Sequence, residues 1–145
     1  MSPQPVKHLI VDTSVIIKWL NHINEQHLQQ AKRLLDRMEA GIVEIFAPEL
    51  VKYEVGNALL KGKQLRIPEA EDALDAFGKL PLHIVPTELD HLPEVYELAQ
   101  RYTMTFYDAS FVHIAQLAHV PLITDNPKHQ KKVEGVTVIP LSSYK

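Results

Sequence analysis

Leu9-Ile10-Val11 runs without a break into Asp12-Thr13-Ser14, and this junction constrains the chain more than any other part of it. Three large aliphatic residues with no polar alternation fit a strand covered on both faces, as in the middle of a parallel sheet. At the carboxyl end of such a strand lies the crevice where open α/β sheets bind their ligands. A carboxylate there, followed by hydroxyls that open the next helix, has the chemistry to hold a cation or a phosphate. An Asp directly before an apolar helix is also an ordinary helix cap. Both readings of Asp12 stand at this point.

The rest of the chain alternates helical and strand patterns. Ser14 to Leu20 reads as a short helix. Asn24 is placed to cap a longer one in which Leu28, Ala31, Leu34, Leu35 and Met38 recur at helical spacing up to Gly41. Val43 to Ala47 reads as a second strand, with Pro48 in the first turn of a helix that ends near Gly62. In that helix Glu54 falls on the same stripe as Val51 and Ala58, which turns a carboxylate toward the apolar side, where an unpaired charge is costly. Pro68 starts another helix, expected to form a hairpin with the one before it. Leu82 to Val85 is a third strand, and Asp90 is placed to cap the helix after it. Asp108 to about Ala118 is apolar nearly all round, so this helix is expected inside the molecule with Asp108 at its start. Pro121 to Asp125 is a fourth strand ending on a carboxylate, Lys128 to Lys132 a basic helical turn, and Val136 to Leu141 the last strand. The pattern predicts an α/β fold of three layers, α/β/α, around a central parallel sheet of about five strands.

A length of 145 residues suits one domain with a core that needs no disulfide. The chain has no cysteine, which excludes thiolate metal sites and fits a reducing compartment, so a cytoplasmic protein without a membrane segment is expected. The net charge of −3 argues against a chain permanently coated with nucleic acid, although it allows an acidic pocket beside a basic rim. His22, His27, His83, His91, His113, His119 and His129 show no metal-ligand spacing and are expected at the surface.

A parallel sheet gathers its strand ends on one edge, so Asp12, Glu54, Asp108 and Asp125 are candidates to converge there. Carboxylates that close repel, and either raised pKa values or a divalent cation relieves the repulsion. All-oxygen ligands favour Mg²⁺ or Mn²⁺, and such a site can activate water against a phosphodiester.

Four segments carry a resemblance over almost the whole chain: Val11-Asp12-Thr13-Ser14, Pro48-Glu49-Leu50 with Glu54-Val55-Gly56-Asn57-Ala58-Leu59, Phe106-Tyr107-Asp108-Ala109-Ser110, and Pro121-Leu122-Ile123-Thr124-Asp125-Asn126. In order and spacing the sequence resembles the PIN-domain ribonucleases of toxin–antitoxin pairs, the VapC-like group. The resemblance implies a PIN-like domain over residues 1–145 and an endoribonuclease in which Asp12, Glu54 and Asp108 bind Mg²⁺ or Mn²⁺. Thr13 or Ser14 would help hold a metal-bound water or phosphate. It also implies a homodimer and an antitoxin partner whose C-terminal segment occludes the pocket. In that family the last motif reads Thr, any residue, Asp, whereas this chain has Thr124-Asp125-Asn126. The expectation taken here is that Asp125 lies at the pocket rim and acts through a metal-bound water, with Asn126 as the other candidate for the fourth position. RNA is expected to lean on Lys52, Lys61, Lys63 and Arg66 on one side and Lys128, Lys131 and Lys132 on the other. The competing readings are a PIN-like module that binds RNA or protein without cutting, a solitary RNA-processing nuclease, and a phospho-accepting receiver domain. The last normally has adjacent acids after its first strand, whereas Asp12 stands between Val11 and Thr13.

Overall fold

The apolar run does form a central strand. In the computed structural model, which describes residues 3–130 and 133–145, β1 spans Lys7–Val11, and Ile10 and Val11 are almost fully buried. It is flanked by β2 (Val43–Pro48) and β4 (Leu122–Thr124). With β3 (His83–Val85) outside β2 and β5 (Val138–Pro140) outside β4, the five-stranded sheet has the order β3-β2-β1-β4-β5. Every pairing is parallel, with Leu9 opposite Ile45 and Val11 opposite Ile123.

That order fixes where a crevice opens. The chain steps outward from β1 through β2 to β3, then returns across the sheet to β4 on the far side of β1. Right-handed crossovers put the connecting helices of the two halves on opposite faces, so they part between β1 and β4. Asp12 directly follows β1, and Asp125 directly follows β4.

Among the described residues, six α-helices supply the covering layers: α1 (Thr13–Leu20), α2 (Leu28–Glu39), α3 (Leu50–Asn57), α4 (Ile67–Lys79), α5 (Leu92–Arg101) and α6 (Phe106–Ala118). Helix α1 buries Val15, Ile16 and Ile17, and its Trp19 indole N–H donates to the Ala31 carbonyl at 2.7 Å, tying α1 to α2. At the end of α2, Gly41 takes φ +74°, the left-handed turn that glycine enters without a Cβ penalty. Helix α3 widens at its end into a π-helical turn, Ala58–Gly62.

Several boundaries depart from expectation. His27, not Asn24, precedes α2; both have φ 58°, and the connection from α1 stays irregular through both. Pro48 is the last residue of β2, paired with Val85, because its missing N–H costs nothing where the ladder ends. Helix α4 packs on α1. Asp90 lies inside a 3₁₀ turn, Leu89–His91, and caps nothing. Helix α6 begins two residues early, since Thr105 accepts the Asp108 N–H at 3.0 Å and so caps it. Its inner face is buried as expected, while Leu117 near its end is exposed. The basic stretch after β4 gives a 3₁₀ turn, Pro127–His129. Among the described residues no helix is long and apolar enough to cross a membrane.

Candidate active site

Asp12 is 7% exposed, and both of its carboxylate oxygens are engaged. Oδ1 accepts the Ser14 N–H at 3.1 Å and the Ser14 hydroxyl; Oδ2 accepts the Thr124 hydroxyl. The two readings of Asp12 therefore coincide, because the carboxylate that caps α1 is also the one at the mouth of the sheet. The polarity of these hydroxyls is fixed from behind. Ser14 Oγ accepts the Asp125 N–H at 3.0 Å and Thr124 Oγ1 accepts the Asn126 N–H at 2.9 Å, so each directs its own proton toward Asp12.

Burial pushes the Asp12 carboxyl up from 3.8 to about 6. The hydrogen bonds from Ser14 and Thr124 oppose the rise, and the charge of Asp108 adds to it. Glu54, half-buried on α3, is also raised, by burial first and by Asp108 as well, against the Thr13 hydroxyl that donates to its Oε1 at 2.7 Å. Asp108 thus acts electrostatically on both other acids from the first turn of α6. Asp12 and Glu54 are each linked electrostatically to Asp108.

Asp125 stands apart from these acids. Its carboxylate is taken by the Lys18 ammonium at 2.9 Å and by His27 Nδ1 at 2.9 Å, and it reaches the site only through its backbone N–H on Ser14. Asn126 is exposed and contributes its N–H to Thr124. The donor set of Asp12, Glu54 and Asp108 is all oxygen and carries charge that burial disfavours, which fits a hard divalent cation. Among the described residues no three His, Asp or Glu side chains stand at metal-ligating separation.

The basic residues divide. Lys52, Lys61 and Lys128 are exposed. Arg66 is exposed and pairs with Glu69 at 2.7 Å. Lys63 is held by Glu25 and the Ile23 carbonyl, so it is an internal tie and not a free phosphate contact. Lys131 and Lys132 lie outside the described residues. Among the histidines, His113 corrects the surface expectation: on the buried side of α6 it is 5% exposed, and its Nε2 meets Glu94 on α5 at 2.8 Å. His27 is half-buried against Asp125.

Two features escaped the sequence reading. Tyr53 and Tyr107, each next to a site acid, are 76% and 58% exposed, and with Phe106 they line a single hollow of about 280 Å³. Lys18 is 2% exposed, its Nζ ringed by Glu25, Asp125 and the Gln26 carbonyl. A lysine inside the apolar run Val15–Leu20 was the signal, since an ammonium so placed needs counter-charges.

Known proteins share this architecture. Ribonuclease VapC1 of Mycobacterium tuberculosis (strain ATCC 25618 / H37Rv) is 34% identical over 84 residues, 57% of this chain and 62% of that protein, so the match spans less than two thirds of the relative. Ribonuclease VapC3 of Pyrobaculum aerophilum is 29% identical over 123 residues, covering 80% of this chain and 87% of that one. Among solved structures, VapBC2 from Rickettsia felis, bound to a DNA fragment from their promoter, superposes with a TM-score of 0.71 over 92% of this chain and 98% of that one; at 16% identity it speaks for the fold. The family model described as PIN domain matches residues 9–135, and the chain belongs to that family.

Proposed function

We propose that this protein is a Mg²⁺- or Mn²⁺-dependent endoribonuclease, the toxin of a toxin–antitoxin pair, with Asp12, Glu54 and Asp108 holding the cation. The observation that carries the reading is the placement of Asp12, buried at the switch point of the sheet, with Glu54 half-buried on α3, each carboxylate raised by burial and by the charge of Asp108. A cation held there by Asp12, Glu54 and Asp108 would activate water and offset the charge that develops on the phosphodiester. The protein's own part is orientation. Ser14 and Thr124 fix the plane of the Asp12 carboxylate, and Thr13 fixes that of Glu54. Asp125 acts from behind them. Tyr53 and Tyr107 offer exposed ring faces to unpaired bases, and Lys52, Lys61 and Lys128 offer charge to phosphates.

The names of the relatives support RNA cleavage, and VapBC complexes among the structural neighbours support an antitoxin partner. A homodimer belongs to the same proposal. The test is cleavage of RNA by purified protein with Mn²⁺, with EDTA, and with Asp12→Asn. Cleavage that needs the metal and is lost in the variant supports the reading; RNA binding without cleavage under every condition leaves a binding module.

A further inference from the structure

Lys18 lies one helical turn beyond Ser14 and meets three acceptors: Glu25 Oε1 at 2.9 Å, Asp125 Oδ2 at 2.9 Å and the Gln26 carbonyl at 2.8 Å. An ammonium has three protons, so its donors are fully used. Around it the network continues to His27 on the other Asp125 oxygen, and to Lys63 on the other oxygen of Glu25. Lys63 follows the π-helical turn that extends α3, the helix carrying Glu54. The network therefore ties together α1, the connection before α2, the end of β4 and the end of α3.

A buried ion network is a poor source of stability, because removing charges from water costs about what their attraction returns. What this one does is geometric. It grips the Asp125 side chain, and the backbone N–H of that same residue sets the Ser14 hydroxyl, which donates to Asp12. It also directs a fourth negative charge away from Asp12, Glu54 and Asp108.

We propose that Lys18 is a positioning residue for the metal site: by holding Asp125 it fixes the end of β4, and through Ser14 it sets the orientation of the Asp12 carboxylate. The proposal rests on the assignment of Asp12 as a cation ligand. It also assigns Asp125 to the support of the site, since the carboxylate that Lys18 grips is not available to the cation.

The test uses the full chain and Mn²⁺ alone, with binding followed by calorimetry. Lys18→Met is expected to weaken Mn²⁺ binding about tenfold, the usual effect of losing a group that orients a ligand. Ser14→Ala should do the same, and the double variant should lose little more than either single one, as for two links of one chain. Saturating Mn²⁺ should return the cleavage kcat of Lys18→Met toward wild type with the KM for RNA unchanged, which a general loosening of the fold does not produce. Lys18→Arg, which keeps the charge, should recover part of the affinity. If Lys18→Met does not fold, Lys18→Gln, which keeps a donor and loses the charge, carries the same comparison. Wild-type affinity in the lysine variant overturns the proposal, as do losses that multiply in the double variant. Tighter Mn²⁺ binding overturns it most directly, because it means that a freed Asp125 has joined the ligands. Failure of the underlying assignment has its own signature: Asp12→Asn then binds Mn²⁺ as wild type does.

Discussion

Replacing Asp12 by Asn should stabilise the metal-free protein at neutral pH while abolishing its function. Burial raises the carboxyl from 3.8 to about 6. Between those values the unfolded chain gives up its proton and the folded chain keeps it, so stability falls as pH rises from about 4 to about 6 and stays low above that. A shift of this size corresponds to about 3 kcal/mol. Asn carries no charge to desolvate, but it offers Ser14 and Thr124 one acceptor where Asp offers two, which costs about 1 kcal/mol. The net gain above pH 6 is about 2 kcal/mol, or roughly 4–8 °C in Tm for a chain of this size. The assay is urea unfolding in EDTA at intervals from pH 4 to pH 8, on wild type and Asp12→Asn. The wild-type curve should descend relative to the variant between pH 4 and pH 6, and Mn²⁺ should raise only the wild type above pH 6. Parallel curves across the whole range would refute the claim that Asp12 carries an uncompensated buried charge.

Three further outcomes follow from the same geometry. Asp108→Asn should lower Mn²⁺-dependent cleavage about 100-fold or more, while Asp125→Asn lowers it only about tenfold, measured as kcat/KM on one RNA; equal losses would return Asp125 to the ligand set. RNA affinity should fall steeply with salt, through Lys52, Lys61 and Lys128, and mutating Lys63 should leave the salt slope of a folded variant unchanged because that lysine is internal. Ile10→Ala, in the central strand and 1% exposed, should cost about 2–5 kcal/mol in urea unfolding, with a drop in the midpoint and little change in m.

The sheet was legible in the sequence because each strand is a short apolar run closed by a turn residue or a carboxylate, and that pattern survives local errors of a residue or two. Helix starts were less legible. Asn24 and Asp90 are good caps by composition, yet neither caps a helix, because tertiary packing set the starts at His27 and through a 3₁₀ turn. Thr105, overlooked beside the more conspicuous Asp108, is the residue that caps α6. At the site, Asp12, Glu54 and Asp108 could be picked out one at a time because each interrupts an apolar pattern. The direction of Asp125 could not. It depends on Lys18 and His27, 107 and 98 residues away in the chain, and strand alternation carries no information about such partners.

Side by side, the two charged groups at the switch point answer the problem of burial in opposite ways. Lys18 and Lys63 face Glu25 and Asp125, two cations against two anions. The Lys18 ammonium is held above the usual lysine range, because Glu25 and Asp125 outweigh the burial that works against its charge. The carboxylates of Asp12 and Glu54 have hydroxyls and a backbone N–H as their observed partners, which orient a carboxylate without neutralising it. The buried Lys18 ammonium is already fully engaged by Glu25, Asp125 and the Gln26 carbonyl. Charge balance at the three site acids therefore comes from protons, as the raised Asp12 carboxyl shows, or from a cation that enters from solution. A site that takes up protons at the pH where its oxygens would be needed as ligands is one in which metal and proton would compete, and the hydroxyls of Ser14 and Thr124 oppose the proton by donating more strongly to the ionised carboxylate than to the acid.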